Sequence, residues 1–123
     1  MFAQERFEFS GVLLDIAADG DFTLVRRIID VFLADTEAKV ESLGDAVFPA
    51  DFAEARRTAH SLKGAAVQIG TLRLANAAGQ LERCAPEIDG ATFFSLVKAI
   101  AESWWDARRS VIDALESMSE KPA

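Results

Sequence analysis

Residues 51–82 read DFAEARRTAHSLKGAAVQIGTLRLANAAGQLE. Within this stretch Phe52, Ala55, Ala59, Leu62, Ala66 and Ile69 recur at alternating steps of three and four, the apolar seam of an α-helix packed in a bundle. Gly70 followed by Thr71 reads as a helix C-terminal glycine and the N-cap of a new helix. A second seam, Leu74, Ala78, Leu81 and Ala85, starts at once. Two antiparallel helices are therefore expected to meet at Gly70, and Ala75, Ala78 and Gly79 are small enough to let their backbones approach. Asp51 and Glu54 have the spacing of a capping box at the start of the first helix.

His60, the only histidine of the chain, lies off this seam. At ~100° per residue the seam points ~130° away from it, so the imidazole is expected to face solvent. Arg56, Arg57, Lys63, Gly64 and Val67 fall on the same outer face, with Gln68 at its edge. Residues three and four positions after His60 flank it on the helix surface: Lys63 sets a cation beside a nucleophilic nitrogen, and Gly64 has no side chain to block approach. This suits an imidazole that takes up a phosphoryl group and passes it on; the plain alternative is an incidental surface histidine. His60 stands ten residues before Gly70 and Glu82 twelve after it, ~15 and ~18 Å from the turn at ~1.5 Å per residue. At that shared level Glu82 can accept a hydrogen bond from one ring nitrogen and leave the other as the nucleophile. The alternative here is a solvated helix glutamate.

Residues 56–82 closely resemble the signature of histidine-containing phosphotransfer (HPt) domains of two-component phosphorelays. The resemblance is carried by the His60-x-Leu62-Lys63-Gly64 core with Gly70 six residues later, and extends to Asp30-Val31-Phe32-Leu33 and Asp51-Phe52 upstream, so that about residues 10–118 can be laid on the family. It implies that His60 is the phosphorylated residue, that Lys63 lies beside the phosphoryl group, that Gly64 provides clearance and that Glu82 contacts the imidazole. Gln68 occupies a place where many relatives carry a small polar residue. The implied partners are receiver domains of response regulators and hybrid histidine kinases. Any divalent cation is expected on the receiver, with no cofactor or metal in this chain.

Composition agrees with one small domain spanning residues 1–123. At 123 residues, half of them hydrophobic, the chain can form a single core. No apolar run approaches ~18 residues and no signal-like segment follows Met1, so a cytoplasmic, monomeric protein with no membrane contact is expected. The single Cys84 allows no internal disulfide and, with one histidine, argues against a zinc centre. Thirteen basic residues against twenty acidic give a formal net charge of −7, which disfavours nucleic acid as a partner. Arg56, Arg57, Lys63 and Arg73 nevertheless gather near the histidine helix, a local patch suited to a phosphoryl group and the acidic pocket of a receiver. Ordinary solvated helix charge is the alternative for any one of them.

The remaining sequence supplies a scaffold. A short helix is expected over Ser10–Ala18 with Ser10 as its cap. A long one should follow from Asp21 to about Val47 along Phe22, Val25, Ile29, Phe32, Thr36, Val40, Leu43 and Val47, stopped by Pro49. After Pro86 and Asp89-Gly90 comes a last helix along Phe93, Val97, Ile100, Trp104, Ala107, Val111, Ala114 and Met118. The expected fold is all-α: an antiparallel up-down-up-down four-helix bundle with a short extra N-terminal helix. Leu24, Ile28 and Val31 form a second apolar stripe on the long helix, to be covered by Phe9, Leu13 and Leu14 of the short helix, or else used in part, Ile28 with Val67, to dock a receiver beside His60. Trp104 and Trp105 are expected in core and rim, and Phe2, Phe7 and the tail from Ser119 are expected to fray.

No glycine-rich phosphate loop is present, so no ATP binding or autophosphorylation is expected and the chain is a phosphotransfer protein rather than a kinase. Ser61, ~100° around the helix from His60, cannot complete a serine-histidine triad. Two other readings stay open: the phosphoacceptor module of a chemotaxis-type histidine kinase, favoured by Glu82 where the more neutral Gln is the alternative, and a helical adaptor that is not phosphorylated.

Overall fold

In the computed structural model, which describes residues 7–120 and side chains through residue 118, the chain forms five helices: α1 (Gly11–Ala18), α2 (Phe22–Gly44), α3 (Phe52–Ile69), α4 (Leu72–Glu82) and α5 (Gly90–Glu120). There is no strand among the described residues.

The seam read from α3 is buried along its whole length, from Phe52 through Ala55, Ala59, Leu62 and Ala66 to Ile69. The helix ends at Gly70 with φ 107°, a left-handed conformation that costs glycine nothing sterically. Thr71 precedes α4 as expected, but its hydroxyl donates back to the Ala66 carbonyl at 3.2 Å instead of capping the new helix. α4 is short. It buries Leu74, Ala75, Ala77, Ala78, Gly79 and Leu81 on a broad face, leaving Leu72, Arg73, Asn76 and Gln80 exposed on the other, and stops at Glu82, so Ala85 lies beyond the helix and is exposed rather than continuing the seam.

Asp21 caps α2 as expected, its carboxylate accepting the Leu24 N–H at 3.1 Å. The helix ends at Gly44, short of Val47, which is exposed in the connection. The expected capping box at α3 does not form, because the Asp51 carboxylate accepts the Val47 N–H at 2.8 Å and Glu54 is paired with Arg57. Thr92 N–H donates to Asp89 Oδ1 at 2.7 Å and so opens α5, which runs on through the Ser119–Glu120 segment expected to fray. Its buried row is Phe93, Val97, Ile100, Trp104, Ala107 and Val111, then Leu115, with Ala114 and Met118 half-buried. The switch to Leu115 follows from helix geometry: a strict seven-residue repeat drifts ~20° per heptad on a straight helix, and after three heptads the next residue along faces the core better.

Ser10 marks the start of α1, yet its hydroxyl makes no capping bond; it is its backbone N–H that is used, donating to the Ile69 carbonyl at 3.0 Å and fixing the N-terminal segment to the end of α3. Phe9 and Leu13 are buried there. Phe7, expected to fray, packs its ring edge-on to Phe9 at 5.0 Å. The expectation for Phe2 falls outside the described residues, as do the other residues of 1–6 and 121–123. The expected cover of the second stripe of α2 is incomplete: Phe9 and Leu13 are buried but Leu14 is exposed, and of the stripe Ile28 is half-buried against the core, whereas Leu24 and Val31 stay exposed.

The interior is assembled from apolar side chains of all five helices, with Phe32 and Trp104 joining α2 to α5 in an edge-on pair at 6.1 Å and Phe48, Phe52 and Phe93 clustered below α3. Full burial of each large side chain such as Ile29, Leu62, Leu81 or Phe93 is worth about 1.5–3 kcal/mol. Among the described residues no helix is long and apolar enough to cross a membrane.

Candidate functional site

Because the α3 seam turns inward, His60 is left on the outside, with its side chain 73% exposed. α3 and α4 are joined through Gly70 and meet again at the level of His60, where Glu82 Oε1 lies 2.5 Å from His60 Nδ1. The other oxygen, Oε2, is out of solvent and stands 2.8 Å from Lys63 Nζ. One carboxylate, 21% exposed, thus serves both the imidazole and the lysine one turn beyond it.

The electrostatics of the trio decide which ring nitrogen is free. The Lys63 ammonium, and after it the hydrogen bond with His60, holds the Glu82 carboxyl below its ordinary 4.5, against a smaller opposing effect of desolvation. Glu82 is therefore ionised at neutral pH and can only accept. The proton of the shared hydrogen bond must sit on His60 Nδ1, which leaves the Nε2 lone pair directed away from Glu82.

The surroundings keep this arrangement open. A Cβ built on Gly64 meets nothing within 4 Å, so nothing inside the protein requires glycine there. At Gly79 a Cβ would touch the Lys63 stem at 3.4 Å, an ordinary contact, and would lie 2.9 Å from Arg83 Nη1, so the bare α4 backbone leaves room chiefly for the Arg83 guanidinium. Val67 is exposed two turns above His60, and Gln68 is exposed and engages neither His60, Lys63 nor Glu82.

The expected cationic patch is only partly free charge. Arg57 pairs with Glu54. Arg73 is drawn away to α5, where it meets Asp106 at 3.2 Å. Arg56 turns inward: its Nε donates to the backbone carbonyl of Glu82 at 3.0 Å and its guanidinium lies 5.9 Å from the centre of the Phe52 ring. Ile28 is half-buried on α2, eleven residues and about 16 Å of helix rise before Lys39.

Lys39 is a neighbour that the sequence reading missed. Its ammonium donates to Asp35 Oδ2 at 2.6 Å and to Ser61 Oγ at 2.7 Å, linking α2 to α3 beside His60. The only signal was the i, i+4 spacing of Asp35 and Lys39, which any solvated helix can show.

A groove of about 490 Å³ lies at the Gly70 end, lined by residues including Phe7, Ser10, Val67, Arg73 and Asp113, and His60 is not part of it. The exposed imidazole also lies outside the groove lined by Ser42, Asp51, Glu54 and Thr58. Among the described residues no three His, Cys, Asp or Glu side chains come together as a metal site.

Residues 27–118 match a protein-family model, that of the Hpt domain. No curated protein and no solved structure matches the chain.

Proposed function

The chain belongs to the Hpt domain family, whose members are phosphotransfer modules acting with receiver domains in two-component phosphorelays, and from that premise we propose that it is a phosphorelay intermediate working through His60. The observation that carries this reading is the exposed imidazole held at Nδ1 by an ionised Glu82. Its neutral Nε2 attacks the phosphorus of a receiver aspartyl phosphate. An N–P bond forms, the P–O bond to the aspartate breaks, and the aspartate leaves as a carboxylate. The ring keeps its Nδ1 proton, and the positive charge it gains is balanced by Glu82. Reversal onto a second receiver aspartate returns the neutral imidazole.

Lys63, on a flexible stem beside Glu82, is placed to turn one donor toward the phosphoryl oxygens. Gly64, Val67 and Gln68, with Arg57 at the edge, form the surface a receiver would cover. Ile28 joins it only at the margin. The divalent cation and the groups that stabilise charge in flight belong to the receiver. The scaffold we infer is a single domain whose longer helices run up-down-up-down. Supporting this are the Gly70 turn between α3 and α4, their second meeting at His60 and Glu82, and the Phe32–Trp104 pair between α2 and α5.

One observation favours a second reading. Glu82 is a carboxylate where an amide would also hold the ring, which keeps open the phosphoacceptor module of a chemotaxis-type kinase. Incubation with a phosphorylated receiver, and separately with a kinase catalytic domain and ATP, distinguishes the two. Under the first reading the receiver labels the protein with an acid-labile, alkali-stable phosphate that His60→Gln does not take up, and the mutant keeps its helical content because the ring is off the core. Equal labelling of wild type and His60→Gln would overturn it.

A further inference from the structure

α4 ends at Glu82, the very residue that must hold the imidazole, and helix ends are where backbone order is weakest. The last carbonyls of a helix have no intrahelical partner. For Glu82 the missing partner is fixed by sequence, since the residue four positions on is Pro86, which has no N–H to give. The chain leaves the helix through Arg83, whose N–H returns to Gly79, and Cys84, whose N–H returns to Leu81, so neither reaches the Glu82 carbonyl. That carbonyl is taken by Arg56 Nε at 3.0 Å, from α3, one turn before His60. The guanidinium is oriented by the ring of Phe52, which is itself buried. Its charge also sits at the negative end of the α4 dipole.

We propose that Arg56 is a positioning residue for His60: by holding the Glu82 carbonyl it fixes the end of α4 and keeps the Glu82 carboxylate on Nδ1. The role rests on the reading of His60 as the phosphoacceptor, and it replaces the partner contact expected of Arg56 from its place on the outer face. Three contacts from one helix then hold the same residue, Arg56 on the backbone and His60 and Lys63 on the side chain. Without the first, Glu82 can fray with the terminus and the ring loses the partner that selects its tautomer.

The test is a nitrogen-detected NMR spectrum of the only imidazole, recorded where the ring is neutral, for wild type, Arg56→Met and Glu82→Ala. Methionine keeps an apolar stem over Phe52 and cannot donate. Arg56→Met is expected to keep its helical content, to move the two ring-nitrogen shifts from the wild-type Nδ1–H tautomer toward those of Glu82→Ala, and to slow uptake of phosphate from a receiver roughly tenfold, as a small displacement of a reacting group can. If Arg56→Met does not fold, Arg56→Lys, which keeps the charge but not the Nε donor, is read in the same way. Shifts that overlay wild type while Glu82→Ala departs from it would overturn the proposal, and so would three superimposable spectra, which would leave Arg56 nothing to position. The tautomer is read without any transfer reaction. A tautomer shift in a protein that takes no label from receiver or kinase would therefore sink the phosphoacceptor reading and leave the positioning role standing.

Discussion

Glu82 Oε1 stands 2.5 Å from His60 Nδ1 across 22 positions of sequence, and its second oxygen is simultaneously 2.8 Å from Lys63 Nζ. The resting site is therefore closed on itself. The lysine expected beside a phosphoryl group is engaged by the carboxylate that orients the ring, so under the proposed function a phosphoryl group arriving on Nε2 would compete with Glu82 for Lys63 and would leave the Nδ1 hydrogen bond alone.

Separate substitutions should then separate the two roles. Glu82→Ala is expected to remove the tautomer preference of His60. Lys63→Ala should preserve that preference while slowing phosphate uptake or shortening the lifetime of the phosphohistidine, because in the proposed function the cation would act on the phosphoryl oxygens. Ring-nitrogen NMR and decay of labelled protein measure the two. A Lys63→Ala variant with unchanged uptake and decay would show that the lysine serves only to hold Glu82.

Gly64 gives a test in which stability and function move in opposite directions. Glycine within a helix costs about 1 kcal/mol relative to alanine, and a Cβ at this position meets nothing. Gly64→Ala is expected to raise the unfolding free energy by up to that amount. Gly64→Gln should fold, yet slow transfer from a receiver by placing a long side chain one turn above the nucleophile. Transfer at the wild-type rate in folded Gly64→Gln would mean that no partner surface comes close over this residue.

How far the sequence could be read depended on whether a feature was set by periodicity or by competition between partners. The α3 seam was legible because every buried residue from Phe52 to Ile69 is apolar and its phase leaves one outcome for His60. The contact of His60 with Glu82 was countable because Gly70 fixes the turn. The caps were less legible. Ser10, Asp51 and Thr71 all stand in cap positions, but only the structure shows that the Asp51 carboxylate goes to Val47 and the Thr71 hydroxyl to Ala66. Arg56 and Lys39 are long side chains with several partners in reach. Their choice of the Glu82 carbonyl and of Ser61 depends on interhelical distances that no single-helix pattern contains.

The Gly70 turn carries its own prediction. With φ at 107°, a Cβ there would be strained, and it would also lie 2.6 Å from the Glu8 carbonyl oxygen and 3.1 Å from Ser10 N. Gly70→Ala is expected to cost at least about 1–2 kcal/mol from backbone conformation alone. Part of the loss should appear as release of the N-terminal segment that Ser10 N–H ties to Ile69. Hydrogen exchange at Ser10 and chemical denaturation check the two parts; a variant with wild-type stability and a protected Ser10 amide would contradict the described turn.

Acid sensitivity follows from the same carboxylate that orients the ring. The Glu82 pKa is depressed in the folded protein below its ordinary 4.5, first by Lys63 and then by His60, so the folded state binds a proton there less readily than the unfolded chain. The stabilisation this implies is fully present above about pH 4.5 and is lost as the pH falls through the lower folded-state value. Asp89 behaves in the same sense from its ordinary 3.8, because hydrogen bonds from Thr92 favour its charged form. Urea unfolding of wild type, Glu82→Gln and Asp89→Asn between about pH 3 and pH 6 isolates each group, since every other carboxylate is common to the three proteins. The stability difference between wild type and Glu82→Gln is expected to be constant near pH 6 and to shrink in favour of the mutant below about pH 4.5, with the Asp89→Asn difference beginning to shrink at lower pH. A Glu82→Gln curve parallel to wild type down to pH 3 would mean that the carboxylate gains nothing from Lys63 and His60 on folding, and the trio would then have to be regarded as neighbours in space without electrostatic coupling.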